Sequence, residues 1–190
     1  MANRDRPMGF RPYTGVGATH IYLKFVVTTA LGTNTFVGDV MDLDGTSITP
    51  AAADAGVSVI GVCTQLFDTN GVSIGHPNSA VTTKYLPAST AGIIEVCLAT
   101  PGALFICQDD ASATLTAADV GITFDHVAGT GDTTTSVSRH EMNATAGGLQ
   151  LRLLGLVDEP NNAWGVNADI IVVFNESAVG GAAATAAAAV

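Results

Sequence analysis

The sequence contains little charge and few aromatic residues. Of its 190 residues, 13% are charged and 6% are aromatic. Soluble domains typically carry about 25% charged residues, so a free monomer would present mostly small, uncharged side chains to water. Such a surface suits a protein that covers part of itself with neighbouring subunits.

Basic residues are especially scarce. Seven Lys and Arg stand against seventeen Asp and Glu, which gives a net charge of −10. Phosphate binding needs clustered Lys and Arg, so we expect no nucleic-acid partner. No apolar run reaches the roughly 18 residues that span a membrane, and the N-terminus lacks the apolar region of a signal peptide. We therefore expect a chain made in a cytoplasm, with no membrane partner.

The sequence also lacks the motifs of catalytic and metal sites. The three cysteines, Cys63, Cys97 and Cys107, have no CxxC spacing and lie in apolar runs, which predicts buried free thiols. The four histidines form neither HExxH nor HxH, and no GxSxG, Walker loop or helix-opening GxGxxG occurs. We therefore predict no enzyme activity, no metal and no cofactor.

Acidic residues are clustered at two places. Asp39, Asp42 and Asp44 alternate in part along one candidate strand, where charges on the wet face of an edge strand discourage unwanted pairing. Asp109 and Asp110 follow another strand. Such a pair can ligate calcium, but we interpret it as a solvated turn.

Short β-like runs divided by Gly, Thr and Asn turns dominate the chain. Thr100-Pro101-Gly102 predicts a hairpin between two of them. We predict an all-β fold: a compact antiparallel β-barrel or sandwich, jelly-roll-like or β-tulip-like. The candidate strands cover residues 20–29, 36–43, 58–67, 84–86, 92–99, 103–108, 148–157 and 168–175.

Few segments predict helices, and two predict irregular structure. Residues 49–53 place Pro after an N-cap residue, which favours one or two helical turns, and residues 112–120 suit a short helix or a turn. The small polar residues 128–137 predict a loop. We assign residues 19–176 to the body and the Ala/Gly-rich residues 177–190 to a flexible tail.

The first 18 residues have the composition of an extended docking arm. They hold three of the seven basic residues, two prolines that disfavour a helix, and two aromatics. Arginines and aromatics are the residues that anchor protein interfaces. A lone tryptophan in the polar loop 160–165 either caps the end of the barrel or anchors an interface. The predicted partner-binding residues are Arg4, Arg6, Phe10, Arg11, Tyr13 and Trp164.

The opening segment also carries a family resemblance. Pro7-Met8-Gly9-Phe10-Arg11-Pro12, after Met1-Ala2-Asn3, resembles the start of small head proteins of tailed bacteriophages. Four later runs are similar to capsid decoration, or cement, proteins, although the Ala/Gly ending departs from that pattern. These runs are Phe36-Val37-Gly38-Asp39-Val40, Ile60-Gly61-Val62, Tyr85-Leu86-Pro87-Ala88 and residues 149–157.

The resemblance implies a non-catalytic, all-β virion protein. Such proteins are commonly homotrimers on the outside of an icosahedral head, where their partner is the major capsid protein. An extended arm would cross to the shell or add a strand to a neighbour. One alternative is a tail-tube or minor head component, for which rings of six would replace closed trimers. Another is a carbohydrate-binding or enzymatic β-domain, which requires a concave patch of exposed aromatics.

Overall fold

The computed structural model describes residues 3–15, 18–28, 31–44, 47–53, 59–145 and 147–179. Within these ranges it contains twelve strands and one 3-10 turn, Ala117–Asp119, and no helix there is long and apolar enough to cross a membrane. The strands are β1 (Arg11–Pro12), β2 (Tyr22–Val27), β3 (Val40–Asp44), β4 (Ser47–Pro50), β5 (Val59–Phe67), β6 (Gly92–Leu98), β7 (Phe105–Gln108), β8 (Thr123–Phe124), β9 (His126–Asp132), β10 (Val137–Met142), β11 (Leu151–Leu156) and β12 (Asp169–Phe174).

The strands form two five-stranded antiparallel sheets and a two-stranded ribbon. The first sheet has the order β1-β7-β12-β11-β8, the second has the order β2-β6-β5-β3-β4, and β9 pairs with β10 in the ribbon. The all-β prediction is confirmed in its sandwich form, and the described strands do not close into a barrel.

The main core lies between the two sheets. Alternate residues of β7, β11 and β12 point inward, as the period of two in a strand requires. Phe105, Leu153 and Val172 from the first sheet meet Val62 and Cys97 from the second. This contact joins the halves of the chain into one sandwich.

The opposite face of the second sheet covers a separate core. Its strands contribute Met41, Leu66 and Ile94, and loop residues Leu31 and Leu86 complete the cluster. The second sheet is therefore buried on both faces along its central strands, which explains the nearly continuous apolar run of β5.

The structure corrects four sequence predictions about local structure. The turn at Thr100-Pro101-Gly102 forms, with the amide of Ala103 donating to the carbonyl of Thr100 at 2.9 Å. However, β6 and β7 belong to different sheets, so the turn links the two layers and does not close a hairpin. A turn motif specifies the reversal of the chain but not the partners of its flanking strands.

The helix predicted over residues 49–53 is wrong: its first two residues lie in β4, and residues 51–53 are not helical. Pro50 pairs with Met41 of β3, and the amide of Ala51 donates to the carbonyl of Val40 at 2.8 Å. Strand β4 ends the second sheet. Proline is tolerated at such an edge because no further strand needs its missing N–H.

The loop predicted over residues 128–137 is mostly the hairpin of β9 and β10. Its small residues fit tight packing, because a Cβ at Gly129 would collide with Arg139 and one at Gly131 would collide with the ring of Phe36. The strand predicted at residues 84–86 shrinks to a single bridge between Leu86 and Thr35.

The cysteine prediction is confirmed, and the predicted tail begins in ordered contact with the body. Cys63, Cys97 and Cys107 are buried free thiols, and burial raises the pKa of all three. The buried Ser177 hydroxyl donates to the carbonyl of Ala99 at 2.6 Å, and Val179 packs on the second core. The rest of the predicted tail, residues 180–190, lies outside the described residues.

Candidate interaction surface

Hydrogen bonds attach the N-terminal segment to the body of the same chain. The Asn3 amide nitrogen donates to the carbonyls of Ala163 and Val166 at 2.8 and 3.0 Å. The Gln108 side chain accepts from the amide of Arg6 at 2.8 Å and donates to the carbonyl of Arg4 at 3.0 Å. Side chains of the body thus supply the hydrogen bonds that a free arm would leave to water.

Phe10 packs inside its own chain, in contrast to the partner-facing position that the sequence predicts. The ring is 1% exposed and lies 5.7 Å from that of Phe174, between centroids. Its amide donates to the carbonyl of Gly38 at 2.8 Å. Immediately before it, Gly9 has φ +70°, and a Cβ there would lie 2.6 Å from Ser138. Glycine therefore allows the backbone to approach closely enough to bury Phe10.

The three N-terminal arginines remain exposed. Arg4 and Arg6 are exposed beside the Gln108 clamp, and Arg11 lies 3.9 Å from Glu159 in an exposed ion pair. Arg11 pairs in register with Ile106, which pairs with Ile171. On the outer face of the first sheet, the half-buried Ile106 and Ile171 therefore form an apolar stripe, and Arg11 lies at its β1 end.

Tyr13 and Trp164 are both half-buried. The amide of Tyr13 donates to the carbonyl of Leu104 at 2.8 Å, which extends the pairing of β1 with β7. Trp164 packs against the main core with part of its surface, and its role as an interface anchor stays a prediction. Asn162 holds the same loop by donating to the carbonyl of Asp169 at 2.7 Å.

The most exposed apolar surface on a strand is β2 with the residue before it. Val26 is 75% exposed, and Ile21, Tyr22 and Leu23 are each nearly half exposed. Strand β2 is the end strand of the second sheet. Sequence analysis identified this strand but not its exposure, because a β-branched and aromatic run is equally typical of a buried strand.

The backbone of β2 also has a side directed away from the sheet. The amide of Leu98 donates to the carbonyl of Ile21, and Tyr22 pairs in register with Cys97. Hydrogen-bonding direction alternates along an antiparallel strand, so the N–H and C=O groups of Tyr22, Lys24 and Val26 point away from β6. An edge of this kind is a template for another strand.

A buried polar cluster joins the ribbon to the start of β3. Asp39 is 2% exposed, so the wet-face interpretation of that aspartate is wrong. Its Oδ1 lies 3.7 Å from Nε2 of His140, whose ring stacks on His126 at 5.6 Å between centroids. His126 contacts Oε1 of the buried Gln150 through Nδ1 at 2.9 Å.

Burial controls the protonation of this cluster. Loss of hydration raises the pKa of Asp39 to about 6 and lowers that of His140 to about 3. Burial also lowers the pKa of His126. Both histidines are therefore neutral at pH 7, while Asp39 is mainly ionised. No sequence motif signalled this cluster, because about a hundred residues separate Asp39 from His140.

The predicted solvated turn at Asp109 and Asp110 is partly buried. Asp109 is buried and accepts backbone hydrogen bonds from Ala111, Asn167 and Ala168. Its carboxylate therefore organises the meeting of two loops. Across the described ranges, no group of three or more His, Cys, Asp or Glu side chains has the arrangement of a metal site.

Comparison with known proteins supplies no relative: no protein-family profile, curated protein or solved structure matches this chain.

Proposed function

We propose that this chain is a structural virion protein that decorates the outside of a tailed-phage head and cements neighbouring subunits of the shell. The observation that carries the proposal is the exposed strand β2, with Val26 75% exposed. An apolar sheet edge with outward-directed backbone groups is an aggregation hazard in a monomer. Burial against another protein chain removes that hazard.

The occupant that we propose for this edge is a second copy of the same chain. Copies joined through one repeated contact form a closed ring when the rotation closes, and a trimer is the smallest such ring beyond a dimer. The chain has few charges for its size, which favours burial of part of its surface between copies. Strand addition supplies affinity through backbone hydrogen bonds.

The arginine-bearing face of the first sheet is the proposed contact with the major capsid protein. Arg4, Arg6 and Arg11 lie at one side of the stripe, and the exposed Arg152 pairs in register with Val173 on the other side. These four residues are most of the seven basic residues in an acidic protein. Such an arrangement suits an acidic partner surface.

The self-association step is tested by Val26→Asp. A charge on the edge strand should disrupt pairing between copies. The fold should stay intact, because the Val26 side chain is mostly exposed and contributes little to the core. Sedimentation velocity of the variant and imaging of decorated particles are the measurements. Val120→Asp, at an exposed apolar position outside the strands, is the matched control. Unchanged assembly of Val26→Asp on the particle would refute the proposed contact.

The cementing role is tested on DNA-filled heads with and without the protein. A protein that binds only the assembled shell stabilises it by mass action, and many symmetry-related copies multiply a small contribution. Bare heads should assemble with normal geometry and release DNA at a lower temperature. Equal release temperatures would remove the cementing role, and failure of assembly would indicate a core shell component.

The tail-tube and minor-head alternatives predict a different symmetry from the same exposed edge. Rings of six on a tail would favour them, whereas closed trimers on the head favour decoration. Both alternatives require an occupied β2 edge, so occupancy of that edge does not separate them. Imaging of labelled particles does, because it shows both the symmetry and the location of the copies.

A further inference from the structure

A pocket of about 500 Å³ lies between β9, the loop before β3 and the segment that follows β4. Most of its walls are uncharged and small. Three threonines and Asn34 are among the polar lining residues, and the buried residues Asp39 and His140 form the floor. The apolar walls include Pro50, Ala51, Ala52, Ala88 and Ala128.

The floor presents a carboxylate held by neutral donors. Asp39 Oδ2 accepts from the amide of Phe36 at 2.7 Å, and the Ser138 hydroxyl also donates to this carboxylate. His140 Nδ1 accepts from the amide of Val40 at 3.2 Å. The proton of the neutral imidazole therefore lies on Nε2, 3.7 Å from Asp39 Oδ1.

The negative charge on the floor has no cationic side chain in the pocket lining. Neither Lys nor Arg is among the described residues that line it, and the only ionisable side chains among them are Asp39 and His140. On the adjoining ribbon, Arg139 lies 3.5 Å from Asp132 in its own exposed pair. Buried charges in proteins are normally paired, so the carboxylate favours a cationic ligand.

We propose that this pocket binds an alkylammonium group, with the ammonium on Asp39 and the alkyl chain along the alanine and proline walls. This inference is independent of the cementing role. An ammonium has three donors and a compact charge, which complements a single carboxylate. An unbranched alkyl chain buries its methylene groups against apolar walls while the charge reaches the polar end.

The geometry favours an ammonium over a guanidinium. A guanidinium gains most from a carboxylate by binding both oxygens in parallel. Here Oδ2 already accepts from Phe36, and Oδ1 is beside His140. A compact charge on a flexible stem can use the remaining acceptor sites without that fork. An anion is disfavoured because it would face the ionised Asp39.

The first test is titration of the full-length protein with n-butylamine, whose alkyl chain equals that of lysine beyond Cα. Alanine methyl signals in two-dimensional NMR report binding. We expect n-butylamine to bind at least about tenfold more tightly than n-butanol, because only the amine offers a charged donor. It should also bind more tightly than n-propylguanidine. Equal binding of n-butanol, or stronger binding of the guanidine, would overturn the proposal, as would an unresponsive pocket.

Two further probes distinguish the source of the ammonium. Nα-acetyl-lysine methylamide represents a lysine side chain of a partner protein, and 1,4-diaminobutane represents a free polyamine. Preferential binding of the lysine derivative supports a partner lysine, and preferential binding of the diamine supports a small-molecule ligand. Failure of both to bind would contradict the assignment.

Variants and pH identify the carboxylate as the binding group. Asp39→Asn should weaken n-butylamine binding at least about tenfold, and Ala88→Leu should weaken it by narrowing the exposed rim. Ala118→Leu, on the exposed 3-10 turn, is the control. Because the pKa of Asp39 is about 6, binding should weaken about tenfold from pH 7 to pH 5. If Asp39→Asn does not fold, the pH series and Ala88→Leu still test binding in this pocket. Binding that does not change with pH would refute the role of Asp39.

Discussion

The N-terminal segment and strand β2 differ in burial from what their compositions predict, and in opposite directions. The first is short, polar and rich in arginine and proline, yet it carries a core phenylalanine and is held by the side chains of Asn3 and Gln108. The second is a run of β-branched and aromatic residues, yet Val26 is the most exposed large apolar residue described. Composition sets what a segment is able to bury, whereas distant partners determine what it does bury.

The largest expected difference between the two regions is the effect of truncating Phe10. Phe10→Ala should lower the free energy of unfolding by about 3–5 kcal/mol, because it leaves a cavity in the main core. Met8→Ala, two residues earlier and half exposed, should change it by less than about 0.5 kcal/mol. Urea denaturation measures both. Equal effects would mean that the N-terminal segment is a loose arm.

Burial of Asp39 and His140 makes the stability of the fold depend on pH. Asp39 has its pKa raised from 3.8 to about 6, so its protonated form stabilises the fold below about pH 4 and that contribution is lost as pH rises through 6. His140 acts in the opposite direction: its pKa is lowered from 6.5 to about 3, and its stabilisation is lost as pH falls below 6.5. The two contributions largely offset each other between pH 4 and 6.

Comparison with Asp39→Asn isolates the aspartate. From pH 4 to pH 7, the stability of the wild type relative to this variant should fall by at most about 3 kcal/mol. Urea unfolding at several pH values gives this difference. A constant difference would show that Asp39 is solvated, as the sequence alone predicts.

The Gln108 clamp should contribute less than the Phe10 ring. Gln108→Ala removes the acceptor for the Arg6 amide and the donor to the Arg4 carbonyl, which should cost about 1–3 kcal/mol. Cleavage by trypsin after Arg4 should accelerate. Gln65→Ala, which removes an exposed hydrogen bond to Ser73, is the control. Equal protease resistance in both variants would contradict the clamp.

The sequence predicted the elements of this fold better than their partners. The candidate strands at residues 148–157 and 168–175 contain β11 and β12, which the structure pairs with each other. The turn at Gly102 was also correct, but the assignment of β6 and β7 to one hairpin was not, because the choice of sheet depends on contacts far along the chain. The helix predicted from Pro50 was wrong for the same reason, because Pro50 pairs with Met41 at the edge of the second sheet.

The candidate surfaces were predictable only in part. Arginine content assigned Arg4, Arg6 and Arg11 to a docking arm, and all three are exposed, because burying an unpaired guanidinium is costly. Phe10 differed because Gly9 permits a backbone approach that composition does not reveal. The Asp39 pocket was missed entirely, since its floor and walls come from five separate stretches of the chain.

The smallest expected effect on stability is that of a change on β2. Val26→Ser should alter the free energy of unfolding by less than about 0.5 kcal/mol in the monomer, while weakening association between copies. Denaturation at low protein concentration, beside sedimentation at high concentration, separates the two effects. A large loss of monomer stability would place Val26 in the core and remove β2 as the assembly surface.

Hydrogen–deuterium exchange at single residues tests the contrast between the two regions most directly. The amides of Arg6 and Phe10, bonded to Gln108 and Gly38, should be protected in the dilute monomer. The amides of Tyr22, Lys24 and Val26 should exchange rapidly there and become protected only in the assembled particle. Rapid exchange of Arg6 and Phe10, or unprotected β2 amides in the particle, would contradict the account.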